Sequence, residues 1–211
     1  MAAAAGGFAH VLLPGGEVYE PGSTGSDAVD QYWRVRVAMY LIGGLGMAVF
    51  VGIFNVMGYR LHGPPFHVGT AVTSSLFLTY LAGTASSAVA GRIAGRIGMK
   101  NAVITGLALS LVGVALTALN SLIVLFVGLL VLCAGFFLAH ALASANAARY
   151  SPRPSAASSR YSLSYYAGSS LGGVLLGYAW ELAGWNGTVL AAATLLVAAA
   201  VVVIITPAVS K

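Results

Sequence analysis

The sequence predicts an all-α, polytopic membrane protein in which six transmembrane helices form one bundle. The chain is 59% hydrophobic and only 7% charged, whereas a soluble domain carries about 25% charged residues. Six stretches are about as long as a helix that crosses the bilayer, and none of them contains Asp, Glu, Lys or Arg. Because unpaired backbone groups are costly in lipid, each stretch is expected to be a helix.

The predicted spans follow a polar, Gly/Pro/Ser-rich segment at residues 1–33, which is expected to be a flexible cytoplasmic tail. The third link consists of Asn120 and Ser121 alone, so the third and fourth spans should form a tight antiparallel hairpin. The bundle is expected to occupy residues 34–207. Its spans lie at about residues 37–57, 68–90, 101–119, 122–145, 161–180 and 187–206.

The positions of Lys and Arg predict how the spans are oriented. On an alternating six-span path, every one of the ten cations except Arg60 falls on the same side. Cytoplasmic loops of membrane proteins carry an excess of Lys and Arg, so both termini are expected in the cytoplasm. The expected location is the inner (plasma) membrane. The cations occupy short links between apolar runs, which argues against nucleic acid as a partner, because nucleic-acid binding needs a basic face. The expected partner is the lipid bilayer.

Polar side chains are unevenly distributed among the spans. Spans one, two, four and five carry stripes of Ser, Thr, Tyr, Asn or His, whereas spans three and six carry only scattered Ser or Thr. Polar groups in a membrane usually face the bundle interior or a watery cavity. The pattern therefore repeats after three spans, as two three-helix repeats, which is a feature of secondary transporters. The alternative for any single Ser or Thr is a packing role between helices.

A small-molecule cavity would be lined by the larger polar side chains of the inward-facing spans. His140 lies deep inside span four and is the titratable group there that changes charge near neutral pH. It would relay a proton or bind the substrate; alternatively, it is a neutral imidazole bonded to a backbone or Ser partner. The candidate cavity residues are Asn55, Tyr80, His140, Tyr165 and Tyr166.

Enzyme, metal and cofactor motifs are missing or lie in the wrong context. Residues 168–172 match G-x-S-x-G but lie inside a glycine-rich membrane span, whereas a nucleophile elbow needs a strand-turn-helix. His62 and His67 have no Cys or acid nearby and are a weak metal signal. No Walker loop is present. We therefore expect no catalytic residue, no metal and no cofactor.

One ten-residue segment carries a family resemblance. Residues 91–100 read GRIAGRIGMK and resemble the loop signature of the major facilitator superfamily, G-x-x-x-D-R-x-G-R-[RK]. They lie at the same place, between the second and third spans of a six-span half. The acidic position of the signature is Gly95 here. The resemblance extends over residues 34–206 and includes residues 54–61, 133–140, 164–170 and 184–187, which are similar to an arabinose-efflux-permease-like, drug-efflux branch of bacterial inner-membrane transporters.

The resemblance implies that the chain is the C-terminal six-helix half of such a transporter. It implies efflux of a small molecule by alternating access, coupled to protons as in an antiporter, with a cavity between two halves. A second six-helix half or a second copy of the chain would then be needed as a partner. The loop residues Gly91, Arg92, Arg96, Gly98 and Lys100 would act as a conformational latch at the cytoplasmic side. The alternative is a non-transporting membrane subunit, or a truncated gene product that needs a partner half.

Overall fold

The computed structural model describes residues 26–207, with side chains from Tyr32 onward, and this part of the chain is helical without any strand. The all-α prediction is therefore confirmed. Residues 1–25 of the predicted tail lie outside the described residues, and helix already begins at Ser26. The helices are α1 (Ser26–His62), α2 (Thr70–Ser75), a 3-10 turn (Leu76–Thr79), α3 (Tyr80–Ile97), α4 (Met99–Leu116), α5 (Leu122–Arg149) and α6 (Pro154–Ile205).

Helix α6 has 52 residues, which corresponds to about 78 Å and exceeds twice the thickness of the hydrocarbon layer. It begins with proline in the first turn, where the missing N–H costs nothing. Its helical geometry is interrupted at Ala183 (φ −143°, ψ 20°) and Gly184 (φ 59°, ψ −148°). We call residues 154–182 its first arm and residues 185–205 its second arm. Each arm is long enough to cross a membrane.

Four helical segments of the described chain are long and apolar enough to span a bilayer: Tyr32–His62, Met99–Leu116, Leu122–Arg149 and Pro154–Ile205. The last segment contains both arms of α6. The predicted second span corresponds to α2, the 3-10 turn and α3, which follow one another without a gap from Thr70 to Ile97. Helix therefore occupies most of each of the six stretches in which the sequence predicts a span.

The basic link at residues 91–100 differs from the expected loop. Helix α3 continues to Ile97 and α4 starts at Met99, so the connection is the single residue Gly98. Gly98 has φ 83° and ψ 153°, a backbone conformation that is essentially restricted to glycine. Glycine at this position therefore allows the chain to reverse without a loop, and most of the signature residues lie on helix.

Small residues set the packing of neighbouring helices. A Cβ atom on Gly168 would collide with the backbone of Gly44, and one on Gly172 with the backbone of Ala48, so α1 and the first arm of α6 run parallel in close contact. Gly106 faces Gly135, and Gly113 faces Gly128, which makes α4 and α5 an antiparallel pair. This pairing is the hairpin that the short third link predicts. Small residues permit such close backbone approach in membrane bundles.

The Lys and Arg side chains of the described residues lie mostly at one end of the bundle. The Arg36 guanidinium donates from Nη1 to the Tyr150 carbonyl at 2.9 Å, and Lys100 Nζ donates to the carbonyls of Ile204 (2.7 Å) and Thr206 (3.0 Å). These contacts join the start of α1 to the end of α5, and the start of α4 to the end of α6. Within residues 32–207, Arg60 is the one cation at the opposite end, where its Nη2 approaches the Ala118 and Leu119 carbonyls at 3.4 Å.

Candidate functional site

Aromatic rings from four separate spans meet on one side of the bundle. We call this set the aromatic cluster. It draws on α1, on the 3-10 turn with α3, on α5 and on the first arm of α6, whereas α4 and the second arm of α6 contribute no ring to it. These are the four spans that the distribution of polar residues marks as inward-facing. The members are Phe50, Phe54, Phe77, Tyr80, Phe136, Phe137, His140, Tyr161, Tyr165 and Tyr166.

Phe50 lies at the centre of the aromatic cluster. Its ring is stacked on Phe136 with centroids 4.5 Å apart and lies 5.2 Å from the Tyr80 ring. Phe50 and Phe136 are buried, whereas the rings of Phe77 and Tyr166 are 62% and 67% exposed. The cluster therefore has a fixed, buried base and an open face. Offset and edge-on ring pairs of this kind add about 0.5–1.5 kcal/mol each beyond the area that they bury.

His140 and Tyr161 form a polar pair within this apolar surface. The Tyr161 hydroxyl lies 2.8 Å from His140 Nδ1 and 3.4 Å from the His140 carbonyl oxygen. The tautomer of the imidazole decides whether Nδ1 accepts from the hydroxyl or donates to it. The His140 ring also contacts the rings of Phe136 at 5.6 Å and Tyr165 at 4.9 Å. His140 thus has a tyrosine as its partner, rather than the backbone or serine partner considered from sequence.

Tyr161 is itself held tightly between helices. Its ring is 4% exposed and lies against Gly43, where a Cβ atom would approach the ring to 2.7 Å. On the neighbouring turn, Ser164 donates to the Tyr40 carbonyl at 2.7 Å. The first arm of α6 is therefore fixed against α1 at the level of His140, so the orientation of the imidazole is set by two helices.

The structure brings together four of the five predicted cavity residues. Tyr80, His140, Tyr165 and Tyr166 belong to the aromatic cluster, whereas Asn55 lies outside it, next to Gly173 in a separate cleft. The phenylalanines of the base could not be predicted from the sequence, because phenylalanine carries no polar signal. Tyr161 was not predicted either, although its position offers a signal. Tyr161 lies four residues before Tyr165, and this spacing places both side chains on one helix face.

The signature residues occupy the end of the bundle that carries most cations. Gly91 lies within α3, and the side chains of Arg92 and Arg96 are exposed. Lys100 differs from these arginines because its ammonium binds the final carbonyls of α6, where the helix dipole favours a positive charge. A Cβ atom on Gly95 would meet nothing within 4 Å. The position at which the signature has an acidic residue therefore faces open space in this chain.

Comparison with known proteins gives a consistent family. Residues 37–211 match the Major Facilitator Superfamily. The inner membrane transport protein YnfM of Escherichia coli is 41% identical over 159 residues, which cover 74% of this chain and 38% of that protein. The uncharacterized MFS-type transporter YybF of Bacillus subtilis is 34% identical over 157 residues, and an uncharacterized transporter of Buchnera aphidicola is 36% identical over 160 residues; each match covers 74% of this chain and 39% of the relative. The chain thus spans less than two-fifths of the length of these relatives.

Proposed function

The chain belongs to the major facilitator superfamily, and from that premise we propose that it forms one wall of a small-molecule efflux transporter that works by alternating access. The aromatic cluster is the observation that carries this proposal. It gathers rings from four spans on an open face, and ligand sites are typically lined by aromatic side chains with a few convergent polar groups. Tyr80, His140, Tyr165 and Tyr166 would supply those polar groups. The chain would bind and move its substrate without converting it, so it is not an enzyme and needs no cofactor.

The other wall of the cavity would come from a second six-helix half, either a separate chain or a second copy of this one. Two facts support this part of the proposal. The chain covers 38–39% of the relatives' own length, and the open face of the aromatic cluster exposes Phe77 and Tyr166. An open reading frame for six spans directly upstream of this gene would favour a separate partner chain over a homodimer.

The proposed location is the inner (plasma) membrane, with both termini in the cytoplasm. Apart from Arg60, the cations of residues 32–207 share one end of the bundle, which by the positive-inside tendency would be the cytoplasmic end. In this orientation Arg92, Arg96 and Lys100 lie on the cytoplasmic side. We propose that Lys100, through its bonds to the end of α6, serves as the latch that the signature predicts.

His140 is the proposed proton-coupling group. It is the histidine of the aromatic cluster, and the Tyr161 hydroxyl beside it is a group that can donate or accept a proton. In everted vesicles, His140→Ala should remove the pH dependence of transport that titration of the imidazole would produce. The conservative variant His140→Gln keeps hydrogen bonding but cannot titrate, and should behave in the same way. Unchanged pH dependence in both variants would remove the proton role.

The transport proposal is tested by energised accumulation of ethidium, an aromatic fluorescent probe, in everted membrane vesicles. The vesicles contain the chain with a separate partner half where one is encoded, or otherwise two copies of the chain. Tyr80→Ala and Tyr165→Ala should lower the rate about tenfold if each ring contributes about 1.4 kcal/mol. Tyr178→Ala is the matched control, since Tyr178 is an exposed tyrosine on the same arm of α6 outside the cluster. Equal loss in all three variants would contradict the assignment of the cavity wall.

A measurement on the chain alone tests whether a partner half is required for transport. Proteoliposomes that hold only this chain should show neither ethidium movement nor proton flux if a partner half is required. No transport with any partner or as a homodimer would favour the alternative, a non-transporting membrane subunit.

A further inference from the structure

Glu181 is the only acidic side chain between residues 32 and 207. It is exposed at the end of the first arm of α6, at the same end of the bundle as Arg60. It lines a cleft of about 600 Å³ between this arm and α1. The volume lies within the range of about 300–1,000 Å³ that is typical of small-molecule sites. The other lining residues are Asn55, Val56, Tyr59, Gly173, Gly177 and Trp180.

Two glycines of the first arm, Gly173 and Gly177, line this cleft. Further along the same pair of helices, Gly168 and Gly172 are in backbone contact with α1, but a Cβ atom on Gly177 would meet nothing within 4 Å. At Gly173 the nearest group is the Asn55 amide nitrogen, 3.1 Å from the position of a Cβ atom. At this level Leu176 still packs against Gly52 of α1. Gly173 and Gly177 therefore lie on a neighbouring face of the arm, which borders the cleft together with Asn55.

We propose that this cleft is a binding site for an organic ammonium ion. Glu181 supplies the negative charge, and the rings of Tyr59 and Trp180 provide faces that attract a cation. The Asn55 amide oxygen adds a partial negative charge beside them. The Tyr59 ring is 68% exposed, so its face is accessible to a ligand. A carboxylate with two aromatic rings distinguishes this site from the uncharged aromatic cluster.

A metal ion fits the cleft poorly. Ca²⁺ takes six to eight oxygen ligands, whereas the lining offers one carboxylate, one amide and one phenol. Within the described residues, no group of three His, Cys, Asp or Glu side chains is placed to hold a metal. An alkylammonium needs fewer and less strictly arranged partners, and this chemistry matches what the lining provides.

Arg60 does not neutralise Glu181 in this arrangement. Its guanidinium lies over the rings of Trp185 (4.9 Å) and Phe66 (5.2 Å), and no ion pair joins it to a carboxylate within residues 32–207. Trp185 in turn meets Trp180 edge-on at 6.2 Å. The positive charge of Arg60 therefore lies over the faces of a buried ring and a half-buried ring, and the carboxylate of Glu181 remains available to a ligand.

The cleft also adjoins the aromatic cluster, since Asn55 follows Phe54, whose ring lies 5.0 Å from Tyr80. A cation bound at Glu181 would thus stand at the outer mouth of the transport pathway. The position at the mouth of the pathway depends on the proposed function, whereas binding of a cation to the cleft does not. A binding measurement therefore tests the site independently of transport.

The test is titration of the full chain in the non-ionic detergent dodecyl maltoside with benzyltrimethylammonium, followed by saturation-transfer NMR. Glu181→Gln should weaken binding about tenfold, the effect expected from loss of one partly solvated charge pair. Trp180→Leu, which keeps an apolar side chain and removes the ring, should weaken it about threefold to fivefold, as expected for an exposed cation–π contact. Benzenesulfonate, an aromatic anion, should not bind.

Asp30→Asn is the matched control. It also removes one carboxylate, but from a position about 38 Å along α1 from Asn55, and it should leave the affinity unchanged. Equal affinity of the native chain and Glu181→Gln, or equal binding of benzyltrimethylammonium and benzenesulfonate, would overturn the proposal. A loss that Asp30→Asn shares would also overturn it, because it would point to overall charge rather than to the cleft.

Discussion

At the scale of single residues, the bond between Tyr161 and His140 organises the polar part of the aromatic cluster. The hydroxyl lies 2.8 Å from Nδ1, and the tyrosine ring is clamped against Gly43 of α1. A buried polar group that loses its partner costs more than the bond contributed, because water cannot replace that partner. The pair therefore links the stability of the bundle to the orientation of its one deeply placed histidine.

Tyr161→Phe is expected to lower the stability of the bundle by about 1–3 kcal/mol, the cost of leaving a buried polar group unsatisfied. The ring and its contacts are retained in this variant, so the loss reports the hydroxyl alone. Thermal unfolding in detergent, followed by circular dichroism, measures the change. Tyr178→Phe removes an exposed hydroxyl from the same arm and should be neutral. A neutral Tyr161→Phe would show that the imidazole finds another partner.

At the scale of the elements, glycines decide how closely the helices approach. Gly172 lies against the backbone of Ala48, whereas Gly177, five residues later on the same arm, faces open space. A side chain at Gly172 has only backbone as its neighbour, and backbone cannot move without shifting the helix. Gly172 thus permits the close helix contact, whereas position 177 has room for a side chain.

Gly172→Ala should destabilise the bundle by about 1–3 kcal/mol, the usual cost of overpacking. Gly177→Ala should be neutral or stabilise it by up to about 1 kcal/mol, because alanine favours helix and no neighbour is displaced. Both variants are compared by thermal unfolding in the same detergent. A similar effect of the two substitutions would contradict the close approach of α1 and the first arm of α6.

At the scale of the whole molecule, the ends of the bundle differ in charge. Arg36 and Lys100 bind carbonyl groups at one end, and Arg60 is enclosed by rings at the other. This asymmetry follows from helices that alternate in direction, since each link with cations returns to the same side. The proposed orientation can be tested with single added cysteines because the one native cysteine, Cys133, is buried.

His62→Cys and Ser158→Cys place exposed thiols at opposite ends of the bundle. In intact cells, a membrane-impermeant maleimide should label His62→Cys, whereas Ser158→Cys should react only after the membrane is permeabilised. The native chain serves as the background control. The reverse labelling pattern would place the cation-rich end outside the cytoplasm and would reject the proposed topology.

The sequence by itself determined the helical membrane class, the six apolar stretches and the family signature. These features depend on local composition, since lipid requires each apolar stretch to satisfy its own backbone bonds. Polar residues such as Tyr80, His140 and Tyr165 could be predicted for the same reason: a polar group in a membrane span is conspicuous. Phe50 and Phe136 could not, because apolar side chains suit lipid, protein core and cavity wall alike.

Only the tertiary structure decided which of these side chains meet. It placed Tyr161 on His140, separated Asn55 from the aromatic cluster and joined it to Glu181 across a cleft. It also reduced the basic link to Gly98, because the helices on either side extend further than their apolar stretches do. Contacts between helices depend on the rotation and spacing that glycine pairs impose, and neither quantity is encoded in the hydropathy of a single span.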